Sequence, residues 1–385
     1  MITLIKNGEL YTPDYIGIQS ILIVGEKIIN IGEINEEKLL DLGLDVQVID
    51  AAGSVVLPGL IDPHVHLMGG GGEGGFATRT PEIQLSEITK SGITTVVGCI
   101  GTDGTTRHMT SLLAKARGLE EEGITTYIYT GNYHVPTPTI TSSVKDDVIL
   151  IDKVIGAGEI AISDSRSAQP SPHEIAKLTA EARIGGLLSN KAGVTHFHVG
   201  VGQERLSFLH RILEDYEIPP SNIYATHITR SRELLDDAIA LSNKGAFVDI
   251  TADHETGEWI RYFKENGGNM EQLTISSDGN GSLPKFNNEG QLVGYGVASP
   301  QTLFNQVVSA IKEKRLPVSE IVSLVTRNTA SALRLRDKGL LIEKFDADIL
   351  ILEKETLDIK HVFAKGGHMI KDKNVIVKGT FEDRN

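Results

Sequence analysis

Between Val55 and Arg334 the chain repeats one pattern eight times: a short apolar run followed by a longer stretch of helical period. The runs are Leu57 to Ile61, Thr94 to Ile100, Thr126 to Thr130, Ile160 to Ser163, Val194 to His198, Ile223 to Thr226, Ala246 to Ile250 and Leu273 to Ser276. Strands separated by helices pair in parallel, because a parallel connection must carry the chain back along the sheet. Eight such units over about 280 residues predict a (β/α)₈ TIM barrel of the α/β class, whose reactive groups stand at the C-terminal strand ends.

The flanks read differently. Short β-type runs (Ile2 to Ile5, Ile21 to Val24, Lys27 to Ile31, Val46 to Ile49) precede the barrel, and Ala347 to Leu352, His361 to Ala364, Met369 to Ile370 and Asn374 to Val377 follow it. A closed barrel brings its ends together, so residues 1–56 and 337–385 are expected to form one small composite β-sandwich domain beside a barrel of residues 57–336.

A net charge of −14 opposes a phosphate backbone, and no basic stretch is dense enough to override it, which excludes nucleic acid as a partner. No apolar run approaches the ~20 residues of a membrane helix, and the N-terminus lacks a signal peptide's basic and apolar regions. The expectation is a cytoplasmic protein with no membrane partner. Cys99 is the only cysteine, and its apolar surroundings, Val96 to Ile100, predict a buried thiol with no assigned function.

Histidine placement carries the chemistry. His64 and His66 lie two apart on the first run and point to one side, where they can share a cation. His198, His227 and Asp278 recur at the ends of the fifth, sixth and eighth runs, and Glu159 lies on the fourth. Three or four ligands would hold one ion; six predict two divalent ions, zinc first among them, bridged by a carboxylate and by a hydroxide that acts as the nucleophile. Asp278, in Ser276-Ser-Asp-Gly-Asn-Gly-Ser282, is expected to be both a ligand and the general base and acid. His196 faces the same side as His198 but deeper and is read as packing, while His108, His134, His173, His210, His254, His361 and His368 fall off the strand ends as solvent or structural residues. The glycine run Gly69 to Gly75 contains a formal G-x-G-x-x-G, yet it leads into no helix. It reads as a mobile loop carrying Glu73 over the barrel mouth, where a carboxylate could grip a substrate amine.

Along nearly its whole length the chain resembles the isoaspartyl (β-aspartyl) dipeptidase family of the amidohydrolase superfamily. The motifs that carry the resemblance are Asp62-Pro-His-Val-His-Leu-Met-Gly-Gly-Gly-Gly-Glu73, Gly131-Asn-Tyr-His-Val-Pro136, Ile162-Ser-Asp-Ser-Arg166-Ser, Thr226-His-Ile-Thr-Arg230 and Ser277-Asp-Gly-Asn-Gly-Ser282. It implies a binuclear zinc hydrolase acting on dipeptides in which aspartate is linked through its side-chain carboxyl. His64 and His66 would hold one metal with Asp278, and His198 and His227 the other. Glu73 would bind the free α-amine, Tyr133 would polarise the scissile carbonyl, and Arg166, Arg230 and Ser282 would bind the carboxylates of a small zwitterionic dipeptide. The resemblance also implies a homo-oligomer, with an octamer among its forms.

One position departs from the family pattern. Where the family carries a lysine whose carbamate bridges the metals, this chain has Glu159, an arm shorter by on the order of 3.7 Å. The expectation is a directly bridging glutamate, brought inward by a bulge at the flanking Gly156 and Gly158. A site weakened to one metal is the rival. Two other functions fit parts of the pattern: a cyclic amide hydrolase of the dihydroorotase or hydantoinase kind, which leaves Glu73 and the second arginine without a role, and a non-catalytic scaffold.

Overall fold

The computed structural model describes residues 1–287 and 292–382. Eight parallel strands form the barrel: β1 (Leu60–Val65), β2 (Ile93–Gly98), β3 (Thr125–Thr130), β4 (Val154–Ile162), β5 (Val194–Val199), β6 (Ile223–Thr226), β7 (Phe247–Thr251) and β8 (Leu273–Ser276). They pair in chain order, and a bridge from Val65 to Gly279 brings β1 against the chain just past β8. Below that bridge the buried Asp62 accepts from the backbone N–H groups of His64 and Ser277, each at 3.2 Å, and from the Ser277 hydroxyl. Burial pushes its carboxyl up to about 7 despite those donors.

The strands are apolar on both faces because helices cover the outside, and Val65, Val96, Ile128, Ile160 and Val199 share one core with Leu112, Ile175, Leu209, Leu235 and Ile260 of those helices. Local signals set the helix ends. In Pro172–Ser189, the Ser171 hydroxyl and the Glu174 carboxylate cap each other's backbone N–H groups, proline occupies the first turn, and Asn190 closes the helix in the left-handed conformation.

Nine further strands form a second sheet: Ile2–Tyr11, Tyr15–Val24, Lys27–Gly32, Val46–Asp50 and Ser54–Pro58 from the N-terminal segment, and Ile349–Glu353, Ile359–Ala364, Gly367–Lys371 and Asn374–Val375 from the C-terminal one. The two segments meet where Ser54–Pro58 pairs antiparallel with Ile349–Glu353. This sheet encloses its own core, with Ile5, Leu10, Ile21, Val56, Ile351 and Phe363 among its members.

The first barrel strand lies three residues later than the apolar run predicted. Leu57 and Pro58 pair in the second sheet, and the chain changes sheets at Gly59, whose N–H donates to Asp348 while that of Leu60 donates to Gly92. A side chain at Gly59 would collide with Thr94, at 2.3 Å, so only glycine allows this handover. The shift places His64 inside β1 and His66 just past its end.

A hairpin, β9 (Ser282–Phe286) and β10 (Leu292–Val297), follows β8 and contributes Ser282, Leu283, Tyr295 and Val297 to the wall of the barrel-mouth cavity. Among the described residues, no helix is long and apolar enough to cross a membrane.

Candidate metal centre and substrate pocket

Glu159 lies at the middle of the site. On β4, Ala157 pairs with Thr195 and Ile160 with Phe197, so Gly158 and Glu159 together oppose the single residue His196 of β5. This is the bulge expected from sequence. Gly158 holds φ +152°, and a side chain on it would press on the Cβ and backbone oxygen of His196 at 2.8 and 2.9 Å. The fully buried Glu159 then turns its two oxygens to different partners. Oε2 lies 3.2 Å from His64 Nε2 and 3.9 Å from His66 Nε2, while Oε1 lies 2.6 Å from His198 Nδ1 and 3.4 Å from His227 Nε2. Asp278 Oδ1 completes the first group, 3.1 Å from His66 Nε2 and 3.4 Å from His64 Nε2.

Neighbouring residues hold these rings in place. His64 Nδ1 lies 3.1 Å from His196 Nε2, His227 Nδ1 lies 2.6 Å from the Thr251 hydroxyl, and the Tyr133 hydroxyl lies 2.8 Å from His198 Nδ1. His227 and Asp278, each just past a strand end, adopt left-handed φ values of +66° and +51° that few non-glycine residues tolerate.

The cluster opens into a cavity of about 870 Å³ lined by His66, Tyr133, His198, His227 and Asp278 on one side and by Glu73, Arg166, Arg230 and Ser282 on the other. Glu73 Oε1 accepts from the Thr102 hydroxyl at 3.1 Å and lies 3.5 Å from Arg166 Nη1, and Oε2 accepts from the Ser282 hydroxyl at 3.3 Å. Arg166 directs Nε and Nη2 to the two oxygens of Asp164, at 3.0 and 2.8 Å. One edge of its fork is therefore engaged, and the Nη1 edge is the one facing Glu73. Arg230 Nη1 lies 3.2 Å from His198 Nε2.

Residues 47–109 match the profile of the Amidohydrolase family. A β-aspartyl dipeptidase from Fervidobacterium islandicum AW-1, solved in complex with β-Asp-Leu dipeptide, superposes with a TM-score of 0.92 at 44% identity over 97% of both chains. A second structure of a β-aspartyl dipeptidase from that organism gives 0.90 and 42%. The chain belongs to the β-aspartyl dipeptidases of the amidohydrolase superfamily. A dihydroorotase from Lactobacillus johnsonii is 25% identical over 92% of this chain and 90% of that one. A D-hydantoinase, at 17% identity and a TM-score of 0.69, shares the fold.

For a member of this family, the question is whether residues without the lysine can hold metal. His64 Nε2 is fully buried and makes no hydrogen bond, although Glu159 Oε2 lies 3.2 Å away. The two atoms sit side by side, as ligands of one ion do, rather than as donor and acceptor. Two groups gather here, His64, His66, Cys99 and Glu159 in one and Glu159, His198 and His227 in the other, each with its ligand atoms within 4.8 Å, and Glu159 belongs to both. The residues fit a pair of cations. Burial works to raise the Glu159 carboxyl, but His64 and His198 hold it well below the usual range; His64 and His66 are held up mainly by the charges around them, against the pull of burial.

Sequence reasoning missed several members. Asp164, Thr102 and Thr251 are polar residues without a spacing pattern, and Cys99 is a single cysteine in an apolar run. His254, read as off the site, lines the cavity. The glycine loop is pinned at its base: the buried Arg107 donates to the carbonyls of Met68, Gly70, Gly71 and Thr80, and the Thr80 hydroxyl reaches the Gly70 N–H at 2.7 Å.

Proposed function

We propose that this chain hydrolyses the isopeptide bond of β-aspartyl dipeptides at a centre of two divalent ions, with Glu159 as the bridging carboxylate. The supporting observation is the division of Glu159's two oxygens between two histidine groups at the floor of a cavity whose lining includes Glu73, Arg166 and Arg230. His64, His66 and Asp278 would hold one ion and His198 and His227 the other. When bound, the ions would lower the pKa of a water ligand and polarise a carbonyl oxygen. Zinc is the proposed ion, since the donor set is histidine and carboxylate with a thiol at hand.

The remaining work belongs to side chains. Glu73 binds the α-ammonium of the isoaspartyl residue, displacing its own contact with Arg166, and Arg166 Nη1 and Arg230 bind carboxylates with help from Ser282. A β-aspartyl dipeptide carries one ammonium and two carboxylates, so Glu73, Arg166 and Arg230 each acquire a partner. Tyr133, whose hydroxyl is kept protonated by burial and by the charge of Glu159, donates to the scissile carbonyl oxygen as negative charge develops there. Asp278 accepts the proton of the attacking water and passes it to the departing amine. Assembly as a homo-oligomer and a cytoplasmic location belong to the same reading, and light scattering and cell fractionation test them.

Zinc-loaded protein is expected to release aspartate from β-Asp-Leu and to leave α-Asp-Leu and dihydroorotate largely untouched. Preferential turnover of dihydroorotate would instead favour a cyclic amide hydrolase, for which the dihydroorotase relatives speak, and no turnover of either would leave a scaffold.

A further inference from the structure

We propose that Cys99 is a thiolate ligand of the ion held by His64 and His66, so that the two halves of the centre differ in chemistry as well as in position. The inference rests on the metal centre proposed above and adds a ligand that neither the strand-end histidine pattern nor the family's lysine implies.

Cys99 follows the last residue of β2 and is 1% exposed. Its Sγ lies 3.9 Å from Glu159 Oε2 and 3.8 Å from His66 Nδ1, the ring nitrogen other than the one beside Asp278, and one donor atom from each of His64, His66, Cys99 and Glu159 lies within 4.8 Å of the others. A tetrahedral zinc with bonds of about 2.3 Å to sulfur and 2.0 Å to nitrogen or oxygen spaces its ligands about 3.3 to 3.5 Å apart. The spacings seen here, 3.2 Å between His64 and Glu159 and 3.9 Å from Cys99 to Glu159, bracket that value.

A second observation points to the same space. His64 Nε2 is buried and without a hydrogen bond, while its Nδ1 is taken by His196. Once an ion displaces the proton from Nε2, the remaining proton sits on Nδ1 beside His196 and a lone pair on Nε2 faces Glu159 and Asp278. The competing account makes Cys99 a neutral thiol donating to the Val65 carbonyl, 3.7 Å away. Glu159 Oε2, 3.9 Å away, is its other acceptor, and a thiol is a weak donor held only loosely by contacts of that length. On metal binding the S–H bond breaks, its proton leaves to solvent, and sulfur binds the ion through the freed electron pair.

The asymmetry has a consequence for metal choice. Thiolate favours zinc and cobalt over manganese and magnesium, so discrimination would lie in the half of the centre that holds Cys99. Among the described residues, the group at His198 and His227 includes no cysteine.

Titrating metal-free protein with Co²⁺ tests this, reading bound cobalt by elemental analysis and the spectrum from the near ultraviolet to the visible. The expected result is cobalt uptake with a near-ultraviolet thiolate-to-cobalt band, which can arise only from the single cysteine, and loss of that band in Cys99→Ser with cobalt still bound. Zinc affinity at one of the two ions should fall at least tenfold in Cys99→Ser and manganese affinity less than threefold. Cobalt uptake by the wild type without the near-ultraviolet band would overturn the role of Cys99 and leave the metal centre standing. No uptake at all would overturn both. The wild-type spectrum decides even if the variant does not fold.

Discussion

Two clusters of buried histidine occupy different parts of this molecule. At the barrel mouth His64, His66, His196, His198 and His227 surround Glu159 and Asp278. In the second sheet His361 and His368 touch each other, Nδ1 to Nε2 at 3.2 Å, with Gln47 on the far nitrogen of His368 and Phe363 stacked on its ring at 4.2 Å. Both clusters are almost inaccessible to solvent. The difference is the carboxylate. A buried Glu159 among imidazoles makes a place where positive charge is favourable, and His64 and His66 are shifted upward. Among the described residues the sheet pair has only Asp372, itself largely exposed, 3.6 Å from His361, and burial shifts both histidines downward. Buried histidine alone is packing. Buried histidine around a buried carboxylate is a candidate cation site.

Removing the carboxylate should therefore abolish the distinction, and this is the largest effect expected. Glu159→Ala should lower bound metal to less than one ion per chain and the rate of β-Asp-Leu hydrolysis by at least about 10³-fold, because both ions of the proposed centre would lose a shared ligand. Metal content equal to wild type would show that Glu159 is not a ligand. The same comparison predicts that zinc raises the melting temperature of the wild type and not of Glu159→Ala, since an ion stabilises only the state that binds it.

The far wall of the cavity comes next. Arg166→Ala should reduce kcat/KM by about 10²-fold, mainly through KM, because a charge-assisted contact to a substrate carboxylate is lost along with the support of Asp164. An unchanged KM would assign Arg166 to holding Asp164 alone. Gly158→Ala tests how the bulge delivers Glu159. The added carbon meets His196 and occupies a φ that side chains rarely adopt, which costs on the order of 1–3 kcal/mol. Rate and metal affinity should both fall, by about 10- to 100-fold; a variant with wild-type metal affinity would mean that the glutamate does not depend on the bulge.

The barrel and the candidate ligands were legible in the chain because they obey periodicities: a spacing of two along a strand for His64 and His66, and one candidate ligand at the ends of the fifth, sixth and eighth strands for His198, His227 and Asp278. Glu159 was legible as a departure from a pattern, and Gly156 and Gly158 beside it announced the bulge. The start of β1 was not, since the apolar run from Val55 to Ile61 continues through Gly59 and the change of sheet depends on the partners Asp348 and Gly92, far away in sequence. Arg107 and Asp164 were hidden for a related reason. Each acts by holding something else, the glycine loop or Arg166, and such roles follow from distances that no local pattern encodes.

The smallest effect belongs to the other cluster and tests whether it is only packing. Burial, and next the charge of His361, push His368 down to about 4 from its ordinary 6.5. An unfolded chain then binds more protons than the folded one between those values, so stability is fully present above pH 6.5 and is lost as pH falls towards 4. The amount is on the order of 1–2 kcal/mol, less than a free shift of this size would give, because the pair lies near the sheet surface. Metal binding also depends on pH and adds to stability, so the informative quantity is a difference measured on metal-free protein. His368→Gln keeps a hydrogen-bonding side chain beside Gln47 but cannot titrate. Between pH 7.5 and 5 its melting temperature should fall by a few degrees less than that of the wild type. Parallel pH profiles would show that His368 binds its proton without loss of stability, which would require a carboxylate closer than Asp372 and would remove the contrast between the two clusters.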